Sequence, residues 1–322
     1  MTEKLNLWDL NKSLEVDSSK MHYDIKTFRS IGGFNGKLAS WDPLERSSRY
    51  YKSILFEFSK YLDIKIRNSK YFFNKEASVG DGLDHFLGNI DKRGLGAPVE
   101  INFYDKNIDI DYLLACDEMF FLYPQLKDVD NIVEIGAGFG RLPHSIIQNF
   151  NNIKKYYIID LEWMLEISSN FLREVLTDEQ YTKLEFINIT DYESLSKDKQ
   201  KLKDMGIDLT INIDSFQEMQ TDTAKDYLKF IEENSKMFYS KNAICKYDPE
   251  TVDINLDNKS QYLAALDMGL CKEVINIFNT DEVSKQQNKY LNSFRPKGFK
   301  LEKDEQCYGQ FLYYHSALYV KA

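Results

Sequence analysis

From residue 131 onward, short apolar runs alternate with stretches whose apolar residues recur at helical spacing, the pattern of βαβ units built around a parallel sheet. The runs predict strands at 131–136, 154–160, 184–189, 207–213 and 242–247. Between them the periodicity predicts helices at 142–150, 162–176 and 222–237, the last carrying Ala224, Tyr227, Leu228 and Ile231 at i, i+3, i+4 and i+7. Residues 250–298 break the rhythm with polar and helical sequence that includes QYLAALDMGL and EVINIF, after which strands are predicted at 299–305 and 310–320. The expected class is α/β, a doubly wound, Rossmann-like sheet.

Residues 1–110 read differently, as a mostly helical region with loops that would cover the sheet domain of residues 111–322. Asp42-Pro43-Leu44-Glu45 has the signature of a helix start, and Tyr51, Ile54, Leu55, Phe58 and Leu62 then form one apolar stripe. Arg46, Arg49 and Lys52 lie off that stripe, as a solvated face or as a grip on an anionic substrate group. Glycines at 32, 33 and 36, and again at 80, 82, 88, 94 and 96, mark irregular connections that could form a lid. A second helix, about Asp109 to Tyr123, presents Tyr112, Cys116, Met119, Phe120 and Tyr123 on a broad apolar face, and Pro124 is expected to stop it.

The chain has 322 residues and a net charge of −10, with no Lys/Arg run long enough to follow phosphates. Nucleic acid and anionic membranes are therefore not expected partners. No apolar run reaches membrane-spanning length, and the start, MTEKLNLWDLNKSLEVD, lacks the apolar core of a leader, so the expected location is cytoplasmic. Cys116, Cys245, Cys271 and Cys307 form no C-x-x-C pair, and His22, His85, His144 and His315 show no ligand spacing, so no metal is expected.

The chemistry begins at Ile132-Val133-Glu134-Ile135-Gly136-Ala137-Gly138-Phe139-Gly140-Arg141, where a buried strand runs into a turn with alternating glycines. Glycine lets the backbone approach a ligand, and the unpaired N–H groups of the following helix favour an anion. The next strand ends in Asp160, about twenty residues on, the separation at which a carboxylate reaches ribose hydroxyls. A dinucleotide fingerprint is G-x-G-x-x-G; here the spacing is G-x-G-x-G, with Arg141 standing where the dehydrogenase glycine would fall.

At this turn the sequence resembles class I S-adenosylmethionine-dependent methyltransferases. The resemblance extends through Asp160, Asn188-Ile189-Thr190-Asp191 and Asp214-Ser215-Phe216-Gln217-Glu218-Met219. More narrowly, Trp41-Asp42-Pro43, Arg49-Tyr50-Tyr51-Lys52, EIGAGFGR and DSFQEM resemble the bacterial sugar O-methyltransferases over most of residues 40–250. What the resemblance implies is a seven-stranded sheet with the last strand antiparallel and S-adenosyl-L-methionine as cofactor. The cofactor would be held by Glu134, Gly136, Ala137, Gly138, Gly140, Arg141, Asp160, Leu161, Thr190, Asp191 and Asp214. The implied acceptor is a small-molecule or saccharide hydroxyl, nucleotide-linked or anionic in some forms, as in a surface-glycan precursor.

Methyl transfer to oxygen needs alignment and removal of a proton. Glu218 and Asp214, at the exit of the fourth strand, and His144, early in the helix after the glycine turn, are the catalytic candidates, with Glu218 expected to take the acceptor proton. His144 avoids the face formed by Leu142, Ile146, Ile147 and Phe150 and should point to solvent or to the cover. His85, in the glycine-flanked segment, is a weaker candidate, and His315 lies within a strand as a structural residue. Tyr and Phe number 21 each, which suits sugar stacking but is also what a large core requires. The alternatives are an NAD(P)-dependent oxidoreductase, which Arg141 and the final strand pair disfavour, and a non-catalytic nucleoside-binding module.

Overall fold

The computed structural model describes residues 24–30, 49–72, 78–188, 204–248, 250–251, 263, 265–308 and 313–322. Strands of a seven-stranded sheet run through the chain as β3 (Asn131–Ile135), β4 (Lys155–Asp160), β5 (Leu184–Asn188), β6 (Leu209–Ile213), β7 (Met237–Ala243), β10 (Phe299–Gln306) and β11 (Tyr314–Lys321). Their order across the sheet is β10-β11-β7-β6-β3-β4-β5. β6 is parallel to both β3 and β7, whereas β11 is antiparallel to β7 and to β10. The last strand thus enters the sheet reversed, as the resemblance implies. The chain separates into two compact units, one of residues 131–136 and 188–322 and the other of 23–130 and 137–187.

In the second of these units the apolar stripe of α1 (Arg49–Arg67) is buried at Tyr51, Leu55, Phe58, Leu62 and Ile66, while Lys52 is exposed. Asp63, also on the buried side, accepts from the amides of Gly82 and Leu83 and from Arg67 Nε, tying α1 to α2 (Asp81–Leu87). A Cβ at Gly82 would lie 2.4 Å from the Asp63 carbonyl oxygen, so this helix start requires glycine.

The hairpin of β1 (Glu100–Phe103) and β2 (Lys106–Asp109) is absent from the sequence-based expectation. Its two-residue loop is Tyr104-Asp105, both in the left-handed region at φ 47° and 65°, which is the geometry of tight hairpins but not their usual Asn-Gly chemistry. Asp109 then caps α3 (Ile110–Leu126), accepting from the amides of Asp111 and Tyr112. Pro124 does not end this helix, which continues to Leu126. A proline in the last turn forfeits one hydrogen bond, and its fixed φ is already helical.

Arg29 joins these pieces. Fully buried, it contacts Asp109 Oδ1 at 2.5 Å and Asp111 Oδ2 at 3.1 Å, and it donates to the carbonyls of Arg93 and Leu95. Its guanidinium also lies 5.0 Å from the Tyr112 ring centre and 5.2 Å from that of Phe139. The unit is completed by α4 (Arg141–Asn149), α5 (Glu162–Val175) and α6 (Asp178–Tyr181), whose Thr177 and Gln180 form a capping box.

In the other unit, α7 (Thr221–Asn234) buries Ala224, Tyr227, Phe230 and Ile231, and α8 (Thr280–Ser293) starts at the side-chain cap of Asn279. Phe216 stacks between Tyr227 and Phe294 in its core. The strand expected at 242–247 lies earlier, at Met237–Ala243. Its Ser240, Lys241 and Asn242 look like loop residues, yet all three are buried; Ser240 Oγ bonds the Tyr290 hydroxyl of α8, and Asn242 Nδ2 donates to Asn212 Oδ1 and Ser240 Oγ. EVINIF, read as helical, holds β9 (Val274–Ile275), which pairs parallel with β8 (Lys246–Tyr247). The Asp42 helix start, the 32–36 glycines and much of 250–264 lie outside the described residues. No described helix is long and apolar enough to cross a membrane.

Replacing Arg29 by Met leaves two buried carboxylates without their cation, and should cost about 3–5 kcal/mol of unfolding free energy. Urea denaturation followed by circular dichroism measures this. Lys at the same position should recover only part of the loss, since it lacks the planar fork.

Candidate active site

The turn that follows β3 holds Gly136, Gly138 and Gly140 at φ 79°, 57° and 96°. All three lie in the left-handed region that favours glycine, but the glycines differ in what surrounds them. A Cβ on Gly136 would lie 2.3 Å from Ser215 Oγ, and one on Gly140 2.9 Å from Leu172 Cδ1. At Gly138 the nearest atom would be Met164 Cε at 3.9 Å, so the backbone there is bare on its open side. Gly140 is the cap residue of α4 and supplies no side-chain acceptor to the first amides of that helix.

Asp160, at the end of β4, closes on this turn. Its Oδ2 accepts from the Gly138 amide at 3.3 Å and its Oδ1 from the Leu161 amide at 2.8 Å. Enclosure pushes the carboxyl up to about 7, against the opposing pull of the Leu161, Gly138 and Ala137 amides. Glycine turn and acid, separated by some twenty residues of chain, are one hydrogen-bonded unit. Glu134 is buried within β3, and Leu161 is the residue that caps α5. Thr190 and Asp191 lie outside the described residues.

Two candidates on α4 take unexpected positions. Arg141 is clasped by buried Glu118 of α3, through Nη1 to Oε2 at 2.6 Å and Nη2 to Oε1 at 2.8 Å, so its guanidinium is held by the protein's own carboxylate. His144 does not face solvent: it is fully buried, with Nδ1 2.6 Å from the Tyr112 hydroxyl. Burial drives the imidazole down to about 3, leaving it neutral. The error lies in assuming one buried face, since α4 buries Leu142 through Ile147 without a break. His85 is exposed on α2 beside the Phe72 ring, and His315 is buried in β11 with Nε2 2.8 Å from Asp304. Among the described residues no group of three or more His, Cys, Asp or Glu side chains is arranged to hold a metal.

In the unit that contains β3 and β6, a second cluster is built around the turn after β6. Asp214 sits at φ 65° and ψ −37°, a strained conformation for a residue with a side chain, and its Oδ1 accepts from the Tyr314 hydroxyl at 2.5 Å. Ser215 Oγ donates to the Ile135 carbonyl at 3.0 Å, and Asn212 Nδ2 donates both to that carbonyl and to Ser215 Oγ. Asn242 on β7 donates to Asn212 Oδ1 at 2.9 Å. A buried polar ladder therefore runs from β7 through β6 to the last residue before the glycine turn.

Gln217 locks the other side of the turn. Its Nε2 donates to the carbonyls of Ala243 and Cys271, while its Oε1 accepts from the amides of Leu270 and Cys271. Glu218 follows, half-buried, at the end of the 3₁₀ turn Ser215–Gln217. Lys246 lies against the same turn, its Nζ donating to the Gln217 carbonyl at 3.1 Å. The sequence reading contains neither Lys246 nor Tyr314, nor the asparagines. The asparagines alone leave a trace, each a polar residue at a strand position, Asn212 in Leu209–Ile213 and Asn242 in β7.

No family model matches the chain, and no curated protein does. It is similar to solved structures. One is the methyltransferase domain of bacterial CtHen1, at 12% identity and a TM-score of 0.43, covering 64% of this chain and 97% of that one. Another is magnesium protoporphyrin IX methyltransferase (ChlM) from Synechocystis PCC 6803 with bound SAH, at 14% identity and a TM-score of 0.40, covering 76% and 95%. A third is the mitomycin 7-O-methyltransferase MmcR, at 12% identity and a TM-score of 0.39, covering 65% and 57%. At these values the likeness assigns no role to any residue of this chain.

The raised Asp160 value has a defined sign. Its folded value of about 7 lies above the ordinary 3.8, so the protonated acid is favoured in the ligand-free fold. The stability it contributes is complete below pH 3.8 and is lost as pH rises through 7. Asp160→Asn should therefore flatten the fall in unfolding free energy expected of the native chain between pH 4 and 7, as urea titrations of both proteins at several pH values would measure. An unchanged slope would show that Asp160 does not titrate in this range.

Proposed function

We propose that the chain is an S-adenosylmethionine-dependent methyltransferase that acts on a hydroxyl of a sugar or surface-glycan precursor. The observation that carries the reading is the bond between Asp160 and the bare Gly138 backbone, which sets an acceptor for ribose hydroxyls beside a turn with room for a ligand. The donor fits these residues. The carboxylate of Asp160 would take the ribose, Gly138 and Ala137 would line the adenosine with backbone alone, and the uncapped amides of α4 would meet the amino-acid carboxylate. When bound, the cofactor supplies a methyl group on a positively charged sulfur.

The chain's own contribution is to orient the acceptor, exclude water and receive a proton. Asp214 and Glu218 stand where open α/β sheets present reactive groups, beyond the carboxyl end of a central strand. Asp214 is held in place by Tyr314, and Glu218 receives the acceptor proton. The oxygen acceptor and the sugar class rest on the likeness of EIGAGFGR and DSFQEM to the sugar O-methyltransferases. The same likeness carries a glycan-pathway setting.

Incubation with methyl-labelled S-adenosylmethionine and a panel of nucleotide sugars, glycan fragments, small phenols and short RNAs, read by mass spectrometry, tests the reading. A methylated saccharide is the expected product. Methylation of RNA or of a nitrogen would move the acceptor class, and SAH binding with no product from any acceptor would favour the nucleoside-binding module. By calorimetry SAH should bind and NAD should not; binding of NAD alone would replace methyl transfer with hydride transfer. Asp160→Ala should weaken SAH binding by about 1–3 kcal/mol, the cost of an unpaired buried polar partner. Glu218→Gln should slow turnover without changing SAH affinity.

A further inference from the structure

Between Gly136 and Gly140 the only side chains belong to Ala137 and Phe139, and both are buried. Glycine backbone leaves a given conformation easily, so a ligand that needs this turn either finds it ordered or bears the entropy of ordering it. Phe139 is the handle by which the fold can order it. Its ring meets Phe171 of α5 edge-on, with centres 5.1 Å apart, and meets Phe28 edge-on at 5.4 Å. Phe28 in turn packs edge-on against Phe171 at 5.8 Å, so the three rings close into a triangle, and the Arg29 guanidinium lies 5.2 Å from the centre of the Phe139 ring. Phe28 and Arg29 are anchored independently of the turn. The Arg29 amide donates to the Gly96 carbonyl at 2.9 Å, and its side chain holds Asp109, Asp111 and the carbonyls of Arg93 and Leu95. Gly96, at φ 91°, forms the back of the socket: a Cβ there would lie 2.7 Å from Phe28 Cε1 and 2.9 Å from Arg29 Cδ. Phe28, Arg29, Phe139 and Phe171 belong to the same compact unit as Gly138 and Asp160.

We infer that Phe28, anchored by Arg29, is a positioning residue of the donor site: by seating the Phe139 ring it holds the Gly138 backbone in the conformation that meets Asp160 before a donor arrives. The inference rests on the methyltransferase reading for the identity of the ligand, and on packing geometry for the ordering of the turn. Phe139 stands between two glycines, so a shift of its ring passes directly to the Gly138 amide, which donates to Asp160 Oδ2 at 3.3 Å. The Gly140 amide donates to the Ala137 carbonyl at 3.1 Å, which closes the turn on itself and makes it move as one piece. Edge-on ring pairs are directional, because the positive edge of one ring meets the negative face of the other. Leucine at position 28 would keep apolar bulk and lose that direction. Residues 24–30 therefore have a task beyond covering the sheet domain, since they set the shape of the turn on which the donor lies.

The test compares the full chain with Phe28→Leu, Phe139→Leu and the double variant, and with Leu62→Ala in the core of α1 as a control for general loosening. Thermal melts check that each is folded, and Phe28→Met serves should the leucine variant not fold. Hydrogen exchange of the ligand-free proteins, followed by nuclear magnetic resonance, reads the Gly138 and Gly140 amides, and calorimetry reads SAH affinity. Phe28→Leu should speed exchange at both amides about 3- to 10-fold and weaken SAH binding by a similar factor, the range expected of one edge-on ring pair. Because Phe28 acts through Phe139, the double variant should lose no more than Phe139→Leu alone. Leu62→Ala should lower the melting temperature and leave both readouts within about twofold of the native chain. Unchanged exchange at Gly138 in Phe28→Leu overturns the inference whether or not SAH binds. So does a double variant whose losses are the full sum of the single ones, or a Leu62→Ala variant that weakens SAH as much as Phe28→Leu does. If the native chain binds no SAH while exchange responds as expected, the donor reading fails and takes the donor-site role of Phe28 with it.

Discussion

A side chain on Gly136 would collide with Ser215 Oγ at 2.3 Å, and that close approach organises the region around it. It allows β3 to turn away directly at its carboxyl end, in a conformation open only to glycine. It also lets Ser215 reach the Ile135 carbonyl, which accepts from Asn212 Nδ2 as well. Two turns that are far apart in sequence, after β3 and after β6, are thereby joined by one hydroxyl. The strain at Asp214, a non-glycine residue at φ 65°, is tolerated because the serine bond on one side and Tyr314 on the other over-determine it.

Buried polarity is used in the same way elsewhere. Asn242, Asn212 and Ser215 form a ladder across three strands, and Arg29, Asp109 and Asp111 form a charged knot among carbonyls and aromatic rings. Such groups are costly to bury singly and set geometry through the partners they hold, and here Asn242 Oδ1 and Asp109 Oδ2 are left without a hydrogen bond. In each case the arrangement fixes a turn rather than adding apolar contact. Arg29 places residues 24–30 against Phe139 of the glycine turn, while the asparagine ladder sets the turn that bears Asp214 and Glu218.

The sheet was legible in sequence wherever apolar residues dominate a strand. Ile132 to Ile135, Tyr156 to Ile159 and Leu209 to Ile213 alternate with amphipathic helices, and Asp160, singled out as a ribose contact by its spacing from the glycines, accepts from the Gly138 amide. Legibility failed where polar residues do the work of apolar ones. The strand at Met237–Ala243 was displaced because Ser240, Lys241 and Asn242 look solvated, and the hairpin at residues 100–109 was missed because its turn uses Tyr104 and Asp105. His144 was misoriented because a helix buried on two sides has no amphipathic signal at the residue between them. Lys246 and Tyr314 gave no signal, since each is placed by a partner, the Gln217 carbonyl and the Asp214 carboxylate, that reaches it only through the fold.

The central claim is that the glycine turn and Asp160 together receive a nucleoside methyl donor. A crystal structure of the chain grown with SAH examines it most directly. The account predicts ribose hydroxyls within hydrogen-bond distance of the Asp160 carboxylate and the ligand lying along the bare face of Gly138. Density for SAH at any other place, with Asp160 still bound only to the Gly138 and Leu161 amides, would contradict it.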